Sequence, residues 1–163
     1  MAFIETERLL LRTWMPSDAA AWLAIAAQPD VARYLPGVAE PTRSDVEAWL
    51  ARQMEEEERE GFSCWPVVRK ADGALVGRCG LHRMADGDVE IAWAFDRNVW
   101  GAGYATEAAR AALAFARDER HLARVVALVD PRNARSIGVT HRLGMRFDRV
   151  VRAYRRDLLR YIA

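Results

Sequence analysis

Residues 100–109 read Trp-Gly-Ala-Gly-Tyr-Ala-Thr-Glu-Ala-Ala, a glycine turn that runs straight into a helix-forming stretch. Glycine takes positive φ readily and lets backbone approach a ligand closely. The first turn of a helix carries amides without intrahelical partners, and the helix dipole adds positive charge there. Such a mouth binds a phosphate or pyrophosphate. Gly101-x-Gly103-x-x-Thr106, with Asp130 closing the next strand, imitates a dinucleotide fingerprint. That fingerprint belongs on the first βαβ unit of a doubly wound sheet, however. Here a hundred residues precede the loop and about sixty follow it, and Asp130 runs into Pro131 as a turn would. A Walker-type loop is excluded, because no Lys-Ser or Lys-Thr follows the glycines.

Few other side chains are spaced for chemistry. Cys64 and Cys79 form no Cys-x-x-Cys pair and no metal-spaced set with the three histidines, so no metal is expected. They read as free, buried thiols in a reducing compartment. His121 lies near a helix C-terminus, where a cation is favourable, and His141 reads as surface. Trp14, Trp49, Trp65 and Trp93 read as core or cleft wall. Trp100 abuts the glycine loop and is placed to brace it.

These groups need a scaffold, and 163 residues suffice for one domain, residues 1–163, with a sizeable core. A net charge of +1 argues against a strongly basic nucleic-acid binder. Glu5, Glu7 and Arg8 speak against a signal peptide, and no apolar run approaches the ~18 residues of a membrane helix. A cytoplasmic protein without nucleic-acid or membrane partners is expected.

Residues 4–14 read as a strand and 19–27 as a helix, started by Pro16-Ser17-Asp18. A loop at 36–44 precedes a second helix that starts at Thr42, with Asp45 three residues on, and runs to about Glu60. Its acidic run, Glu55 to Glu58, reads as a solvated face with a Glu55–Arg59 pair. Strands follow at 63–69, 75–83 and 89–95, separated by turns at Asp72-Gly73 and Asp86-Gly87. A helix covers 106–120, an apolar strand 124–129, and a helix 134–143 that stops at Gly144. Residues 146–162 supply two closing strands. The order β-α-α-β-β-β-α-β-α-β-β is an α/β (α+β) fold of about seven strands and four helices, not a regular βαβ alternation.

At this point the chain resembles the GNAT superfamily of acyl-CoA-dependent N-acetyltransferases, specifically the ribosomal-protein-alanine branch. Glu5-Thr6-Glu7-Arg8-Leu9-Leu10-Leu11-Arg12 resembles that family's first strand and Gly77-Arg78-Cys79-Gly80-Leu81 its third. The segment from Trp100 to Ala108 is similar to its pyrophosphate loop, and Asn133-x-x-Ser136 with Leu143-Gly144-Met145 to its last-helix signature. The family loop opens on Gln or Arg, where this chain has Asn98. Arg97 beside it is a candidate substitute charge.

The resemblance implies a mixed, mostly antiparallel sheet whose fourth and fifth strands, 89–95 and 124–129, splay apart to admit acetyl-CoA as co-substrate. The pyrophosphate would sit on amides of Trp100, Gly101, Ala102, Gly103, Tyr104, Ala105 and Thr106. The pantetheine would pair with backbone at Trp93, Ala94 and Phe95. Asn133 would bind the pantetheine or orient a water. Glu90 would be the base that deprotonates an amine before direct attack, its alternative role being a strand-edge ion pair. The family's usual acid, a tyrosine seven residues beyond the asparagine, is replaced by Thr140. Ser136 would hydrogen-bond the departing sulfur, or else cap the helix or contact CoA. His82 either faces the acceptor cleft or does not. The acceptor is a protein N-terminal α-amine or a small amine, the latter favoured if Asp86, Asp88 and Glu40 line a pocket. A homodimer is compatible with the sequence, and so is an acyl-CoA-binding regulatory module without turnover.

Overall fold

In the computed structural model, which describes residues 4–37 and 40–163, the expected strand over 4–14 is split into β1 (Ile4–Glu5) and β2 (Leu9–Leu11). The break has a local cause. Thr6 N–H donates to the Leu9 carbonyl at 2.9 Å. Glu107, a hundred residues away, accepts from the Thr6 hydroxyl at 2.6 Å and the Arg8 amide at 3.0 Å. After Leu11 the chain leaves the sheet: Arg12 grips Asp18, and Trp14 Nε1 donates to the Cys64 carbonyl at 2.6 Å.

Helix α1 (Ala19–Ala26) follows as expected, and a one-turn α2 (Pro29–Ala32), unforeseen, starts on a proline whose missing N–H costs nothing at that position. Val38 and Ala39 of the expected 36–44 loop lie outside the described residues. Helix α3 (Arg43–Glu60) begins at the expected capping box. The Thr42 hydroxyl accepts from the Asp45 amide, and the Asp45 carboxylate accepts from the Thr42 amide. Its acidic run is not a uniformly solvated face. Glu56 and Glu57 are buried, and Arg59 pairs with Glu60 rather than Glu55.

Strands β3 (Cys64–Arg69), β4 (Leu75–Arg83) and β5 (Val89–Phe95) form an antiparallel meander. Helix α4 (Tyr104–Asp118) starts two residues earlier than expected, because Gly103 at φ +81° serves as its N-cap. Strand β6 (Val126–Val129), helix α5 (Ala134–Arg142) and the hairpin β7 (Arg146–Ala153)–β8 (Arg156–Ile162) complete the chain. The split first strand and α2 raise the described totals to eight strands and five helices.

The sheet order is β1-β2-β3-β4-β5-β6-β8-β7, with every neighbouring pair antiparallel except β5–β6. That mixed topology excludes the doubly wound dinucleotide fold. One face packs on α4, whose Ala108, Ala109, Ala112 and Ala116 are small enough to bring it close above Trp65, Leu81 and Ile91. The other face carries α1 and α3 over a cluster of Trp14, Trp22 and Trp49, ring centroids 5.3–6.0 Å apart. Among the described residues no helix is long and apolar enough to cross a membrane.

Candidate active site

The parallel pair β5–β6 is the place where the sheet fails. Its register contains a single pair, Glu90 with Val126, beyond which the strands run on to Phe95 and Val129 unpaired with each other. The remainder of β5 stays fully paired with β4 on its other edge. An open backbone edge inside a sheet is a slot for an extended, amide-bearing ligand. The slot opens into a cavity of about 1050 Å³ lined by β5, the glycine loop, α5, β6 and the β7–β8 hairpin.

The glycine loop closes one end. Gly101 and Gly103 have φ +84° and +81°, the left-handed region that favours glycine. Gly101, Gly103, Tyr104, Ala105 and Thr106 border the cavity, whereas Ala102 does not. Its carbonyl accepts from Arg8 Nη1 at 2.9 Å, and the same guanidinium donates to Glu107 and covers the Tyr104 ring at 4.6 Å. The motif-bearing first strands thus hold the loop's outer side. Trp100 braces the inner side, its Nε1 donating to the Phe95 carbonyl at 2.9 Å, and Arg135 lies 4.8 Å from its ring. Asn98 is turned away, onto Asp96, and Arg97 pairs with Asp30 while still bordering the cavity.

Across the slot, Trp93, Ala94 and Phe95 line one wall, and Asn133 and Ser136 line the other. Asn133 Oδ1 accepts from the Ser136 amide, so the asparagine is the α5 cap. Ser136 keeps its hydroxyl for the cavity, where it accepts from Trp93 Nε1 at 3.2 Å. Thr140 is fully buried with its hydroxyl donated to the Ile137 carbonyl at 2.7 Å, so it presents no proton to a ligand. Asp130 is held by Arg132 in a bidentate pair that pulls its pKa down to about 2, and it also accepts from the Arg132 amide, as a strand-end turn requires.

Glu90 sits where the strands part. It is only 6% exposed, burial raises its pKa above the ordinary carboxylate value, and the Tyr154 hydroxyl donates to its Oε2 at 2.6 Å. Tyr154 comes from the β7–β8 turn at φ +50°, and burial with the adjacent Glu90 charge pushes its own pKa up, which keeps the phenol protonated. His82, directly opposite Glu90 in the β4–β5 register, also borders the cavity. Its Nδ1 lies 2.8 Å from buried Glu56, a hydrogen bond that raises the imidazole pKa. Asp86, Asp88 and Glu40 do not line the cavity, and Asp88 is consumed by Arg124 and Arg160. The acidic pocket contemplated for those three is therefore not formed.

Tyr154, Glu56 and Arg78, all bordering or buttressing this cavity, carry no sequence signal for that placement. Arg78 reaches the site through sheet register, Tyr154 through the β7–β8 turn and Glu56 through the buried face of α3. Arg78 alone lay inside a motif, as part of the third-strand resemblance.

Residues 8–146 match the family described as acetyltransferase (GNAT) domain. The uncharacterized protein YkkB of Bacillus subtilis (strain 168) is 32% identical over 160 residues, covering 96% of this chain and 92% of that protein. The solved acetyltransferase (GNAT family) from Bacillus anthracis is 29% identical, with TM-score 0.83 over 99% of this chain and 96% of that one. RimJ of Mycobacterium smegmatis, solved in complex with CoA-disulfide, is 24% identical with TM-score 0.79 over 95% of this chain and 81% of that one, a likeness of fold alone. The match over most of the chain, with a slot, glycine loop and sheet order to suit it, makes this protein a member of the GNAT acetyltransferase family.

Proposed function

We propose that the protein transfers the acetyl group of acetyl-CoA to a primary amine, by direct attack in a ternary complex. The observation that carries this is the single Glu90–Val126 pair, which leaves a carboxylate at the vertex of an open slot whose far end is the glycine loop. The residues fit the co-substrate: loop amides for the diphosphate, the free edge at Trp93, Ala94 and Phe95 for the pantetheine amides, and Ser136 as a donor toward sulfur. RimJ of M. smegmatis, of the same fold, was solved with CoA-disulfide.

In this mechanism Glu90 takes a proton from the ammonium form of the acceptor, which would otherwise dominate near neutral pH. The amine nitrogen bonds to the acetyl carbonyl carbon, the carbon–sulfur bond breaks, and the sulfur leaves as thiolate or takes a proton. Burial makes Glu90 a stronger base than a surface glutamate. Tyr154 holds the second carboxylate oxygen and so fixes which lone pair faces the amine. A backbone amide of β5 meets the developing oxyanion. The acceptor class is a peptide α-amine or a small amine, and a co-substrate found inside cells agrees with a cytoplasmic setting. A homodimer remains compatible with this reading.

Release of thiol from acetyl-CoA across a panel of peptides and small amines, with calorimetry of acetyl-CoA binding, tests the proposal. Binding with amine-dependent thiol release supports it. Binding without turnover on any amine favours a regulatory acyl-CoA-binding module, and no binding removes both. Glu90→Gln is expected to lower kcat by about 10²-fold or more while leaving acetyl-CoA affinity near that of the parent. Unchanged turnover would take Glu90 out of the mechanism.

A further inference from the structure

Among the described residues two arginines are almost fully enclosed, Arg160 at 7% and Arg78 at 8% exposure. Arg160 is neutralised by Asp88 and Asp148, each at 2.5 Å. Arg78 has no carboxylate within 4.0 Å among the described residues, although it borders the cavity. Its Nη1 donates to Cys64 Sγ at 2.9 Å, its buried Nε has no partner, and its guanidinium lies 5.6 Å and 5.2 Å from the rings of Trp22 and Trp49. Cys64 does not serve as counter-ion, because burial pushes its thiol up and keeps it neutral. A buried charge without a carboxylate is costly, and a planar guanidinium beside two indoles, with Nη2 uncommitted, suits a carboxylate.

Register says what that carboxylate must be attached to. Arg78, Gly80 and His82 alternate on one face of β4 and stand opposite Ala94, Ala92 and Glu90 of β5. Cys64, which receives Nη1, stands opposite Gly80. The guanidinium is thereby directed toward the Gly80 row, one pleat repeat or ~7 Å from the row of His82 and Glu90. On β4 and β5 only Gly80 and Ala92 lie between; Gly80 is packed against the β3 backbone, and Ala92 borders the cavity with no more than a methyl group.

We propose that the acceptor is a compact zwitterion, an amino acid or close analogue, with its carboxylate on Arg78 and its amine at Glu90. This rests on the acetyl-transfer reading above. A diamine would leave the guanidinium unpaired, and a peptide N-terminus offers a neutral amide at that spacing. Transfer follows the same balance: nitrogen–carbon bond formed, carbon–sulfur bond broken, ammonium proton to Glu90, product an N-acetylamino acid and CoA.

The test is thiol release from acetyl-CoA with the twenty protein amino acids and β-alanine, each beside its carboxamide and decarboxylated amine. At least one zwitterion is expected to exceed both matched analogues about 30-fold or more in kcat/KM. Arg78→Met, close in volume, is expected to erase that ratio while the Kd for acetyl-CoA, measured by calorimetry, stays unchanged. If amides or plain amines match the zwitterions, or if Arg78→Met slows every amine equally, the guanidinium merely offsets the charge of Glu90 and the inference is overturned. Acetyl-CoA binding with no amino acid acetylated overturns this inference alone. Absence of acetyl-CoA binding overturns the acetyl-transfer reading and this one with it.

Discussion

At the scale of single residues, the site is built around two opposed influences on Glu90. Burial raises its pKa, and the hydrogen bond from Tyr154 lowers it again, with smaller lowering by the charges of His82 and Arg78. Removing the phenol hydroxyl therefore raises the Glu90 pKa further, and a base must be deprotonated to act. Tyr154→Phe is expected to move the acidic limb of the kcat–pH profile to higher pH, with the plateau lowered less than by Glu90→Gln. A limb that stays in place would detach Tyr154 from the base. Glu90 itself was legible as the candidate base, but its contact with Tyr154 was not, since the two are 64 residues apart and meet only because the β7–β8 turn folds over β5. The replacement of the family's tyrosine by Thr140 was legible. That Thr140 is sealed off by its bond to the Ile137 carbonyl was not, because helix facing depends on what packs against it.

At the scale of elements, the glycine loop depends on a brace from the other end of the chain. Arg8 donates to the Ala102 carbonyl and to Glu107, and Glu107 also receives the Thr6 hydroxyl and the Arg8 amide. With that carbonyl held outward, the loop is fixed before any ligand arrives, which lowers the ordering cost of binding. Arg8→Met or Glu107→Gln is expected to weaken acetyl-CoA binding roughly tenfold with a smaller change in kcat, measured by calorimetry and steady-state kinetics. Equal affinity in both variants would show that the loop needs no such support. Two of the segments that resemble the family, Glu5 to Arg12 and Trp100 to Ala108, are tied together by this brace. Each was readable because its chemistry is local: a run of leucines flanked by arginines in one, glycines before a helix in the other. Their junction was not readable, and it is the same junction that cuts the expected first strand in two.

At the scale of the whole molecule, a ligand in the slot would act as the strand that the sheet lacks between β5 and β6. Acetyl-CoA at one hundred times its Kd is expected to stabilise the fold by about 2.7 kcal/mol. For a domain of this size that corresponds to a Tm rise of about 5–11 °C, readable by calorimetry. Amide exchange should slow most at Ala92 to Phe95. A rise in Tm without protection on β5 would place the ligand elsewhere. The sequence by itself determined the order of elements apart from the split first strand and α2, the boundaries of β4 and β5, the caps at Thr42 and Gly144, and the glycine loop. Those follow from periodicity, turn chemistry and backbone freedom, which act within a few residues. The family resemblance already implied that 89–95 and 124–129 part; only the tertiary structure decided that their pairing ends at Glu90–Val126, that Glu56 is buried against His82 rather than solvated, and that Arg78 is enclosed without a carboxylate. Those depend on which strand lies beside which and on the desolvation that follows, and no local pattern encodes either.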